Sequence, residues 1–288
     1  MPLSLNNGSH IAARRSRLRA GRLRAPQSEP RTTGIHKVVS AAGRMVSSML
    51  VVLAVGTGCT NVVAGAVRPA PGITPRPLTG DTVKQVLLDN QQLGKMFDQS
   101  YKDNPNLPPR FGGANLLYES AASPPECTGV TSMLTKDAYA DAKVEQVADE
   151  SWWNASGYEE NPAIIAVHEA VIALPGAGAA DTAFATASEQ WHRCDGRSVR
   201  DRNFDYQVSN VRAVNSVVAA TVADTHIVLI WKARAVGVRV NCLVDVEVTF
   251  FSEGPGNDKQ PRRSKSADIN TAAIDVAHAM MNKVSALS

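Results

Sequence analysis

Between Val208 and Phe251 the chain carries three consecutive runs rich in Val, Ile and Thr, residues 208–223, 226–236 and 238–251, with turn formers such as Gly237 between them. Branched side chains fit a pleated, half-buried surface, and breaks this short admit only hairpin connections. The runs therefore predict antiparallel strands. Upstream, Ile164–Leu174 (IIAVHEAVIAL) is apolar with two polar insertions and stops at Pro175-Gly176, as a strand does. Helical spacing marks three further segments. One starts at Asp81, with Val83, Val86, Leu87, Leu93 and Phe97 on one face; a second spans Ala180–His192; the last spans Ala267–Ala286 with Ile269, Ala273, Val276, Met280 and Val284 in one stripe. Asp103–Gly113 and Ser123–Pro125 read as loops. Helix first, paired strands, helix last gives an α+β fold, an antiparallel β-sheet with helices packed against it, in a single exported domain.

Export is read from the segment before that domain. Met45–Val55 (MVSSMLVVLAV) holds eleven uncharged residues, half of what a membrane span needs and the length of a signal-peptide core. His36, Lys37 and Arg44 supply the positive flank, and Gly56, Thr57 and Gly58 lead into Cys59. This order resembles the lipobox of bacterial lipoproteins, which implies diacylglycerol on Cys59 and cleavage just before it. The pattern departs at Gly56, where lipoproteins carry Leu, Val or Ile. Residues 1–58 then form a signal peptide with an over-long N-terminal extension. Residues 59–80 form a lipidated tether rich in proline (Pro69, Pro71, Pro75, Pro77), and residues 81–288 form the domain.

The formal charge of +3 divides unevenly, with +8 in residues 1–44 and −5 from Thr60 onward. The folding part is mildly acidic, which removes the electrostatic reason to expect a nucleic-acid partner. The expected partners are the membrane, through the N-terminal lipid, and an unknown small or lipid-like envelope ligand or envelope protein.

With lipid on Cys59, three cysteines remain in an oxidising compartment, so one lacks an intramolecular partner. Cys242 sits mid-strand in VRVNCLVDVEV and reads as a small buried apolar residue, which favours Cys127 with Cys194. A bond from Cys242 to either of the others stays open.

The loop into Cys127 (PPECTGV), the helix ending in Trp191 and Cys194 (SEQWHRC), Trp231 and the run Asn241–Phe250 stand in an order similar to the PknH-like extracellular sensor domain, found on mycobacterial kinases and alone in lipoproteins. The resemblance runs from about Leu78 to the C-terminus. It implies an antiparallel sheet with packed helices, a large ligand cleft and two disulfides. Cys127 and Cys194 match the first pair. The second is not reproduced, because Lys232 and Phe250 or Phe251 stand where cysteines are expected. No kinase motif is present, so signalling would need a partner.

Catalytic signatures are sparse. HEAVI at His168 begins like HExxH, but Ile172 occupies the second ligand position, and in a strand His168 and Glu169 point to opposite faces. No metal or cofactor is expected. His192 beside Cys194 suggests a thiol-base pair only if Cys194 is reduced. No GxSxG or SxxK motif exists. Trp152, Trp153 and Tyr158 form a dense aromatic cluster, read as a loop before the first strong strand and a candidate cleft lining. The expected function is a membrane-anchored extracytoplasmic lipoprotein with a sensor-like ligand-binding domain and no catalytic activity. The alternatives are a cell-envelope hydrolase with a dispersed site and a structural envelope protein.

Overall fold

A computed structural model describes residues 74–156, 162–225, 230–253, 260–261, 264 and 266–288. Cys59, most of the tether and Tyr158 lie outside them. The strands are β1 (Tyr101–Asp103), β2 (Arg110–Gly112), β3 (Ala122–Ser123), β4 (Gln146–Asn154), β5 (Ile164–Ala173), β6 (Ser198–Asp201), β7 (Phe204–Val214), β8 (Val217–Asp224), β9 (Ile230–Arg239), β10 (Cys242–Glu253) and β11 (Gln260–Pro261). All pair antiparallel in one sheet of order β1-β4-β5-β10-β9-β8-β7-β6-β3, with β2 beside β1 on β4 and β11 on β10. The helices are α1 (Asn90–Phe97), α2 (Thr128–Thr131), α3 (Ala177–Cys194) and α4 (Ala272–Leu287). The α+β architecture expected from the sequence is the one observed.

Three details depart from the sequence reading. The run 208–223 is two strands, because Asn215 and Ser216 both adopt positive φ (47° and 64°) and make a hairpin turn whose twist matches the strands. Gly237 is no turn. It lies inside β9, where a Cβ would come within 2.6 Å of Met281 Sδ, so the missing side chain lets α4 press onto the sheet. The first helix is broken. Tight turns at Gly80–Thr82 and Lys84–Val86 give way at an extended Leu87, and Asp89 restarts the chain as α1 through a capping box with Gln92.

Alternation along the central strands divides the core. Cys242, Val244, Val246, Val248 and Phe250 of β10 are all buried on the face that carries α4 and the segment 78–101. The intervening residues face α3 and the segment 117–139. Cys127 and Cys194 are disulfide-bonded, with 5.7 Å between Cα atoms, and tie the start of that covering segment to the end of α3. Cys242 is free and buried, and burial pushes its thiol up to about 12. Buried Asn241, in the β9–β10 turn, fastens the start of the domain. Its Oδ1 accepts from Leu78 N at 2.7 Å, and its Nδ2 donates to Leu78 O at 3.0 Å and Leu174 O at 2.9 Å.

Candidate functional site

Burial on the face beneath α3 changes halfway along the strands. Going up β10, Leu243 and Asp245 are buried while Glu247, Thr249 and Phe251 are half-buried. The same change occurs between Arg234 and Lys232 on β9, between Ala170 and His168 on β5, and between Ser151 and Trp153 on β4. On the α4 face of β10 the residues stay buried from Cys242 through Phe250. Four adjacent strands thus change together from buried to partly exposed side chains on this face.

A charged row marks the boundary between the covered and open halves. Arg110 of β2 pairs with Asp149 of β4 at 3.0 Å, and the same Oδ2 stands 3.2 Å from His168 Nε2 of β5. Lys232 of β9 pairs with Glu247 of β10 at 3.2 Å and lies over the Tyr206 ring at 5.4 Å. Burial works against the charged form of Glu247, yet Lys232, Arg234 and His168 outweigh it and hold its carboxyl below the usual range. Directly opposite Glu247, Arg234 is wholly buried. It donates to Val246 O, Gly129 O and Val130 O and pairs with Asp245 at 3.0 Å. Asp245 Oδ2 in turn accepts from Leu134 N and the Tyr139 hydroxyl. Arg234 and Asp245 therefore pin the covering segment to the sheet and end the cover where they stand.

The aromatic cluster does not act as one unit. Trp152 and Trp153 lie in β4 rather than in a loop, since 146–154 pairs with β5 and β1, and neighbours in a strand point to opposite faces. Trp152 is core on the α4 side, and its indole N–H donates to Glu169 at 3.1 Å. Trp153 faces the α3 side. His168 and Glu169 likewise separate, His168 to the α3 side and Glu169 to the α4 side. Glu169 Oε1 also accepts from Leu88 N at 3.0 Å, and burial pushes its carboxyl up to about 8. His192 is exposed at the end of α3, and its neighbour Cys194 is disulfide-bonded and not a nucleophile. Asn154, in a formal glycosylation sequon, is buried and donates to Gln99 Oε1 and Ile164 O. No cluster of three or more metal-ligating side chains occurs among the described residues, and no described helix is long and apolar enough to cross a membrane.

The model of the PknH-like extracellular domain matches residues 78–283. The chain belongs to that family. In fold it is similar to the crystal structure of the extracellular domain of PknH from Mycobacterium tuberculosis, with 17% identity, a TM-score of 0.59, and coverage of 73% of this chain and 98% of that one. An uncharacterized protein of Mycobacterium smegmatis is 13% identical over 69% of this chain and 97% of its own, with a TM-score of 0.31. No curated protein matches. The PknH-like domain here keeps the Cys127–Cys194 bond and leaves Cys242 as a thiol. Arg110, Asp149, Lys232 and Glu247 were not singled out from the sequence. For Lys232 and Glu247 the signal was charge at alternate positions inside apolar runs (WKARAV, LVDVEV), which places several ionic groups on one strand face; Arg110 and Asp149 lie in no such run.

Proposed function

We propose that this protein is an extracytoplasmic binding module, held to the membrane by lipid on Cys59 and a proline-rich tether, that takes up an envelope ligand or partner on the open half of its sheet. The observation that carries this reading is the contrast in cover. One face of β10 is buried from Cys242 through Phe250, while on the other burial gives way to partial exposure from Glu247 to Phe251. A sheet face that is half apolar and lined by oriented polar groups suits recognition. The family membership supports a sensor-like role, and the mildly acidic domain gives no reason for a nucleic-acid partner.

Heating the purified protein with envelope extracts tests the reading. At least one fraction should raise the melting temperature, and Glu247→Gln should remove the shift. No shift with any fraction counts against it. An envelope hydrolase is the second reading, motivated by Ser151 standing directly opposite His168 with Asp149 beside it. Against it, Arg110 shares the Asp149 oxygen and Ser151 Oγ already accepts from Asn104. Turnover of ester, glycoside or peptide substrates that is lost in Ser151→Ala would favour it.

A further inference from the structure

The chain entering the domain is fastened to the α4 face at two ends, and the fastenings differ in kind. At the near end, Asn241 holds Leu78 and Gln146 Oε1 accepts from Gly80 N at 2.6 Å, both through side-chain amides, which do not titrate. At the far end, Leu88 N donates to the Glu169 carboxyl at 3.0 Å, and Lys283 of α4 donates to Leu87 O. Between the ends lie Val83 and Val86, buried but paired with no strand, in two single turns closed by Val83 N to Gly80 O and Leu87 N to Lys84 O. Few backbone bonds and one acidic latch make this stretch easier to lift than the sheet beneath it.

The latch is a poor place for a charge. Glu169 is wholly buried, its Oε1 serves both Leu88 N and the Trp152 indole, and its Oε2 meets no partner among the described residues. Directly opposite on β4 stands a second carboxyl, Glu150, on which Asp103 and Asp149 act in turn. Val246, opposite on β10, is apolar. The cation of α4 that acts on both carboxyls, and on Asp89 ahead of α1, is Lys283, and its ammonium is engaged by Leu87 O. Burial, with Glu150 adding to it, therefore outweighs the bonds from Leu88 and Trp152 and keeps the proton on Glu169. Once water reaches it, nothing holds that proton above the ordinary carboxyl range.

We propose that residues 81–88 form a proton-controlled strap, hinged where Asn241 and Gln146 hold Leu78 and Gly80 and latched at Leu88 by protonated Glu169, so that loss of this proton lifts the strap from the sheet. Backbone hydrogen exchange on the purified protein between about pH 5 and pH 8 tests it, each rate being divided by the intrinsic rate at that pH. Lifting releases one proton, so the opening equilibrium at Leu88 should rise by about tenfold per pH unit, and Val86 and Leu87 should follow. In Glu169→Gln an acceptor for Leu88 remains but cannot titrate, and the rise should vanish. Near pH 7.5 Leu88 should open at least about tenfold more often than Leu78 or than the amides of β10, which are bonded to β5 and β9. A flat curve at Leu88, or the same rise in Glu169→Gln, overturns the strap. So does equal opening at Leu88, Leu78 and β10, which would make release of the latch no more than global unfolding. If Glu169→Gln does not fold, the slope at Leu88 and its contrast with Leu78 in the parent protein decide by the same criteria.

Discussion

The two faces of the sheet are built from the same strands, yet one is closed and the other stops closing halfway. Under α4, alternate residues of β10 are Cys, Val, Val, Val and Phe, and the helix approaches closely enough that Gly237 has no room for a Cβ. Under α3, the sequence inserts Asp245, Glu247, Arg234 and Lys232 on three successive levels of β9 and β10. Apolar residues let a cover extend until the strand ends. Buried ions do not, because each must be paired and hydrogen-bonded before it tolerates losing water. Asp245 and Arg234 are satisfied by the covering segment, and beyond them the cover ends. The difference teaches that where a layer stops can be set by a few charged residues rather than by helix length.

The largest expected effect comes from breaking that boundary. Arg234→Ala leaves Asp245 buried without its cation and removes three hydrogen bonds to backbone carbonyls, so unfolding free energy should fall by about 4 kcal/mol in denaturant titration. A loss below about 1 kcal/mol would mean that the cover does not depend on the pair.

On the closed face the exception is Glu169. Burial pushes its carboxyl up to about 8, from about 4.5 for a carboxyl in water. The folded state therefore keeps a proton that the unfolded chain releases, and the stability this gives, fully present below 4.5, drains away as pH rises from 4.5 to about 8. Glu169→Gln cannot titrate, so its stability relative to the parent should climb through that window by an amount on the order of 5 kcal/mol. Parallel curves for the two proteins would show that Glu169 is ionised throughout.

Gly237→Ala should cost about 2 kcal/mol, because the added methyl meets Met281 and Val244 and the helix must shift. Trp153→Ala should cost up to about 2 kcal/mol, less than Arg234→Ala, while abolishing ligand-induced stabilisation, since the side chain is partly exposed rather than core. A large stability loss there would erase the proposed asymmetry between the faces.

The closed face was legible in the sequence. The stripe Ile269, Ala273, Val276, Met280 and Val284 is buried as its spacing predicts, although the helix itself starts at Ala272. The hairpin boundaries were less so. In the lower half both faces of β8 are buried, which turns alternation into a continuous apolar run and hides the Asn215–Ser216 turn. β4 escaped because Asp149, Glu150 and Ser151 sit where a strand normally shows its apolar side. The charged row was illegible for another reason. Its members come from β2, β4, β5, β9 and β10, far apart in the chain, and only the sheet register brings them together.

The clamp made by Asn241 sets where a load on the preceding chain enters the sheet. Leu78 is held at the β9–β10 turn, where β10 begins, and the partly exposed side chains start five residues further up that strand, about 17 Å away. A mooring line from Cys59 to Leu78 has nineteen links and reaches at most roughly 65 Å. A pull on the chain ahead of Leu78 is therefore borne by its two hydrogen bonds to Asn241, at the end of β10 remote from Glu247 and Phe251.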